Sequence, residues 1–143
     1  MLKFLIPIVA AMAALSAPAA QARPAFTGTD FSGVYDCKGN DEHDGEYKGA
    51  VTLKLVPERS LGDYGAYTLS SDVPGLGTYA GYAAVQGTHL SMYFGLTAPD
   101  SKDYGTGIAS FAKGKGGKWT FHLYYFEPAY NGGNYGLEDC VRR

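Results

Sequence analysis

The sequence predicts an all-β protein: a single antiparallel up-and-down barrel of about eight strands, closed by one disulfide. Three observations point there. Along several short segments apolar residues alternate with polar ones, the period of two that belongs to strands and not to helices. The 20 glycines and 12 tyrosines all lie beyond residue 22, a composition suited to short strands and tight turns. The only two cysteines, Cys37 and Cys140, stand near opposite ends of that same region.

The first 22 residues are set apart. Lys3 is followed by an apolar run from Phe4 to Leu15, interrupted by Pro7, and then by small residues ending in Ala20-Gln21-Ala22. That is the layout of a secretory signal peptide. The apolar run is shorter than the roughly 20 residues a membrane-spanning helix needs. Residues 23–143 are then one domain, periplasmic or secreted.

Within the domain, Phe31 to Cys37 opens the strand series. Tyr47 to Leu55 is the clearest member: Gly49, Val51, Leu53 and Leu55 share one parity, against Lys48, Thr52 and Lys54 on the other. Tyr64–Leu69 and Thr78–Val85 follow. Leu90, Met92 and Phe94 then alternate with His89, Ser91 and Tyr93. Thr106–Phe111 comes next, and then a strand with Trp119, Phe121, Leu123 and Tyr125 on one face and further aromatics on the other. Tyr135–Cys140 closes the series. Turn signals separate the segments: Asp44-Gly45, Pro74-Gly75, Gly116-Gly117 and Asn131-Gly132-Gly133.

Closing the sheet removes both exposed edges and sets the last strand beside the first. Cys37 and Cys140 would then be neighbours, and two cysteines in an exported chain are expected to pair. A two-sheet sandwich would also bring the ends together. A membrane-spanning barrel is disfavoured, because the Lys48–Lys54 face that would meet lipid is polar.

Phe31-Ser32-Gly33-Val34-Tyr35 resembles the Gly-x-aromatic opening of calycin barrels, the lipocalin and avidin group, with Tyr35 where that group normally has tryptophan. The resemblance implies a closed barrel that holds a small ligand. Tyr35-Asp36-Cys37 with a late Cys140 is also similar to the layout of exported inhibitors of C-type lysozyme. Their Ser-Gly-x-x-Tyr loop is absent, so this likeness supports a fold more than an activity.

Function is read mostly by exclusion. With Lys3 set aside, 11 basic and 14 acidic side chains remain, a net charge of −3, which argues against nucleic acid as partner. Asn40-Asp41-Glu42-His43-Asp44-Gly45-Glu46 begins like a calcium loop but has Val51 at its twelfth position, so a solvated hairpin turn is expected and no metal. His43, His89 and His122 have no ligand spacing. Glu127, Glu138 and Asp139 could form a carboxylate pair, but no nucleophile elbow or phosphate loop accompanies them. A catalytic role and a cofactor are therefore not expected.

What remains is aromatic. Asp63-Tyr64-Gly65, Asp103-Tyr104-Gly105 and Asn134-Tyr135-Gly136 each begin a strand, which is turn chemistry or a set of rings at a barrel rim. Tyr124-Tyr125-Phe126-Glu127-Pro128-Ala129-Tyr130 leads into a Gly-rich loop. The expected reading is a monomeric, non-catalytic binding protein for a small apolar, aromatic or sugar ligand, with no transmembrane span. Its site would use Tyr64, Tyr104, Tyr130, Tyr135 and Glu127. The alternative is a protein inhibitor of a secreted hydrolase such as lysozyme.

Overall fold

The computed structural model describes residues 22–143; apart from Ala22, the expected signal peptide lies outside the described residues. Eight strands follow one another: β1 (Gly33–Asp41), β2 (Gly45–Leu55), β3 (Tyr64–Val73), β4 (Gly77–Gln86), β5 (His89–Leu96), β6 (Tyr104–Lys113), β7 (Trp119–Glu127) and β8 (Asn134–Arg142). Each pairs antiparallel with the next, and β8 pairs with β1, so the sheet closes. All eight expected strands are present, most running a few residues beyond their alternating segments. Closure settles barrel against sandwich.

Cys37 and Cys140 face each other in the β1–β8 register and are joined by a disulfide, with Cα atoms 4.1 Å apart. The turns behave as their residues suggest. Between β1 and β2 the Asp41 carboxylate accepts backbone N–H bonds from His43 (2.8 Å) and Asp44 (2.9 Å), and Gly45 takes φ 75°. A side chain accepting from the backbone two and three residues on is the ordinary way an aspartate starts a turn.

In the barrel, one parity of each strand faces inward. Val51 and Leu53 on β2, Leu90, Met92 and Phe94 on β5, and Phe121, Leu123 and Tyr125 on β7 are all buried. The two ends are filled differently. Phe31, fully buried just before β1, stacks on Phe111 at 3.9 Å between ring centroids and meets the edge of Trp119 at 4.9 Å. Tyr35 packs on Phe121 at 5.1 Å, and its hydroxyl donates to the Phe31 carbonyl (2.7 Å). The Phe31 N–H donates to the Tyr67 hydroxyl (3.1 Å). Aromatic rings with every polar group satisfied therefore plug this end.

The outer wall is two-sided. Asp36, Lys38, Glu46, Lys48 and Lys54 are exposed on β1 and β2. Across β4 to β8 the exposed side chains include the large apolar Tyr82, Tyr93, Ile108, Tyr124, Phe126 and Leu137, set among polar ones such as His89, Ser91, Ser110, His122 and Asp139. The register places them side by side, Tyr82 against Tyr93, Ile108 against Tyr124 and Tyr124 against Leu137.

Candidate functional site at the open end

In an up-and-down barrel alternate connections share an end. The β1–β2, β3–β4, β5–β6 and β7–β8 connections gather opposite Phe31, and each contributes one residue to a mouth: Asp44, Leu76, Asp103 and Tyr130. The Tyr130 hydroxyl donates to Asp44 (2.9 Å), and a His43 ring nitrogen lies 3.1 Å from the Gly133 carbonyl, so two of these loops are tied together across the barrel seam.

Below the mouth is a cavity with about 70 Å³ of room for the centres of water-sized groups. Val51, Leu69, Met92 and Leu123 give it an apolar floor. The rest of its lining is unusual. Five carboxylates reach it, from Asp41, Asp44, Asp103, Glu127 and Glu138, with the phenols of Tyr47, Tyr79, Tyr125 and Tyr130. Two inward glycines give the rings their place. A Cβ on Gly39 would meet Tyr47 Cζ at 2.1 Å, and one on Gly136 would meet Tyr125 Cζ at 2.3 Å. The rings therefore lie flat along the wall, on backbone that only glycine leaves bare.

The polar groups are linked. Tyr125 Oη and Asn134 Nδ2 both donate to Asp41 Oδ2, each at 2.7 Å, and Asn134 Nδ2 also donates to Glu127. Tyr79 donates to Asp103 Oδ2 (2.7 Å). Burial acts to raise the Asp41 carboxyl, but the Asp44 N–H, Tyr125, Asn134 and the His43 N–H outweigh it and hold Asp41 below its ordinary value. Glu127 has fewer donors. Burial pushes it up to about 7, Asn134 opposes, and the negative charges of Asp103 and Asp41 add to the rise. Burial likewise takes Glu138 up to about 7, against the neighbouring Tyr47 hydroxyl. Tyr130, bonded to the Asp44 carboxylate, is pushed up to about 12.

Of the five residues expected to form the site, the structure brings two together: Glu127 and Tyr130 both line the cavity. Tyr104 and Tyr135 start strands at the same end, but their side chains lie outside on the wall, where Tyr135 sits 6.4 Å from Tyr124 between ring centroids. Tyr64 lies at the plugged end, where its hydroxyl accepts from Gln86 (3.1 Å). Of the possible carboxylate partners, Glu138 faces inward and Asp139 faces outward, pairing with His122 (2.7 Å).

Asp41, Asp103 and Asn134 are site residues that motif reading missed, and Glu138 entered it only as a possible member of a carboxylate pair. For three of them a signal existed. Counting by twos from Tyr35 and Cys37 reaches Asp41; counting back from Cys140 reaches Glu138 and Asn134. Asp103 sits in a loop and carries no such signal.

Among the described residues, the only three His, Cys, Asp or Glu side chains whose ligand atoms converge within 4.8 Å are Cys37, Glu138 and Cys140, and both sulfurs are spent in the disulfide. No helix among the described residues is long and apolar enough to cross a membrane. Comparison of the chain with protein-family models, with curated proteins and with solved structures finds no match in any of the three.

Proposed function

We propose that the protein is an exported, non-catalytic binding protein of the calycin-like type, which takes a small molecule at the open end of its barrel. One observation carries this reading: a barrel plugged by Phe31 at one end opens at the other onto a cavity of mixed apolar and acidic lining, to which Glu127 and Tyr130 both contribute. A disulfide across the barrel seam agrees with an oxidising compartment, periplasmic or extracellular.

The cavity narrows the ligand. Whole-ligand pockets run to roughly 300–1,000 Å³, far above the 70 Å³ here. The ligand therefore inserts one end and rests the remainder on the mouth loops. Of the classes expected from sequence, a hydroxyl-bearing, sugar-like molecule suits the lining better than an apolar one, which would strip water from the carboxylates without replacing their hydrogen bonds. The same size argues against glycoside hydrolysis between Glu127 and Glu138, since a sugar ring would have to lie between them.

A second reading, inhibition of a secreted hydrolase, draws its support from the apolar wall of β4 to β8, a surface suited to a protein partner. Native mass spectrometry of protein exported by its own host separates the two. A retained small molecule supports the first, and a retained partner chain with no small molecule overturns it. Tyr130→Ala and Glu127→Gln should then weaken uptake, while Tyr104→Ala and Tyr135→Ala leave it unchanged.

A further inference from the structure

We propose that His89 and His122 together hold a divalent transition-metal ion, copper or zinc, on the outer wall of the barrel. The place is near the plugged end, away from the mouth, and the proposal does not rest on the binding role given to the mouth. Along the chain these histidines have no ligand spacing; the sheet supplies it. His89 on β5 stands opposite Ser110 on β6, and Ser110 stands opposite His122 on β7. The two imidazoles therefore flank one small residue in a single row, and all three side chains line one groove. Two strand spacings set the histidine backbones about 10 Å apart. Two rings leaning together span that distance with metal–nitrogen bonds of about 2.0–2.1 Å.

The orientation of the rings is a second and independent ground. Asp139, next to His122 in the β7–β8 register, accepts from His122 Nδ1 at 2.7 Å. The proton is then on Nδ1 and the lone pair on Nε2, and the two nitrogens face nearly opposite sides of the ring. Nε2 is thus turned toward β6. From the other side, His89 Nδ1 lies 3.3 Å from the Ser110 hydroxyl, so that ring also presents a nitrogen over β6. A carboxylate behind an imidazole is the usual partner of a metal-bound histidine: it fixes the tautomer and raises the basicity of the ring.

The ligand type selects the ion. Imidazole suits copper, zinc and nickel, whereas calcium and magnesium need several oxygens. No lysine or arginine lines the groove to repel a cation. Among the described residues, no group of three His, Cys, Asp or Glu ligand atoms gathers in this groove. The site is therefore a pair of imidazoles with water in the remaining positions. The order Asp139, His122, Ser110 is also that of a nucleophilic triad. Strand β6, however, is paired on both sides through this row, from Thr106 to Ser110. Its backbone N–H groups are engaged in the sheet, and none is free to hold an oxyanion.

The test is calorimetric titration of the folded, disulfide-intact protein with cupric chloride at about pH 7.5, since imidazole binds metal only when neutral. The chain offers no free thiol to compete. His89→Ala and His122→Ala should each weaken copper at least about tenfold with unchanged melting, because both side chains are exposed. His43→Ala, on the turn between β1 and β2 beside the acids of the mouth, should leave copper binding unchanged. Loss in only one of the two groove variants overturns the proposal, because one imidazole alone would then hold the ion. It is overturned equally if His43→Ala removes as much copper affinity as they do, or if no copper binds.

Discussion

Glu138 should make the barrel less stable as the solution becomes less acidic, and Glu138→Gln should remove that loss. The side chain is 5 % exposed, faces inward two residues before Cys140, and titrates near 7 because burial disfavours its charged form. Unfolded, it has the ordinary glutamate value of 4.5. Between those two values the folded protein holds a proton that the unfolded chain has released, so stability falls as pH rises. Below 4.5 both states are protonated and nothing is lost; above 7 both are ionised and the loss is complete. A displacement of about 2.5 pH units at 1.36 kcal/mol each amounts to about 3 kcal/mol. Glutamine keeps the shape without the charge. At pH 8 the variant should therefore be more stable than the parent by up to about 3 kcal/mol, about 10 °C in melting temperature for a domain of this size. At pH 4.5 the two should coincide. Urea denaturation between pH 4 and 9, with the disulfide intact, measures both curves; a smaller slope remains in the variant from Glu127. Parallel curves from pH 5 to 8 would refute the reasoning, because Glu138 would then ionise inside the barrel at no cost.

Two further perturbations probe the wall and the seam. Gly136→Ala would bring a Cβ to 2.3 Å from Tyr125 and push the ring off Asp41; a loss of about 1–3 kcal/mol is expected, and an unchanged thermal melt would mean the ring repacks freely. Replacing both cysteines with alanine releases a 103-residue separation. Chain-entropy arguments put a loop of about 100 residues at about 4.7 kcal/mol; urea denaturation should give a loss of about 2–4 kcal/mol with the far-ultraviolet spectrum unchanged.

Much of the barrel was legible because a wall with one dry face must alternate. Val51, Leu53 and Leu55 against Lys48, Thr52 and Lys54 require a strand, and Cys37 with Cys140 locates the seam. The strand ends were harder to read. Asn40 and Asp41 look like loop, yet they extend β1, since a strand paired on both sides is held by its backbone whatever its side chains. The rim was misjudged for a related reason. Tyr64, Tyr104 and Tyr135 all begin strands, but successive strands of an up-and-down barrel begin at opposite ends, so β3 starts at the plugged end while β6 and β8 start at the mouth. Phe31 reads as the first residue of a strand and acts as a stopper, because only the assembled barrel offers Phe111 and Trp119 to pack on.

The seam has a mechanical side. Seven of the eight strand pairings join neighbours in the chain, and β1–β8 alone ties its two ends. Its register runs from Tyr35–Arg142 to Asp41–Gly136, and the sulfur bridge sits nearer the plugged end. The clasp thus divides the seam into a short stretch beside the plug and a longer one, from Lys38 to Asp41, that backbone hydrogen bonds and the Asn134–Asp41 bond hold shut. Any thermal gaping of the wall begins on the longer stretch, beside Asp41, Gly136 and Glu138. Amide hydrogens there should exchange sooner than those of β3 and β4, and the barrel breathes at its mouth while its foot stays closed.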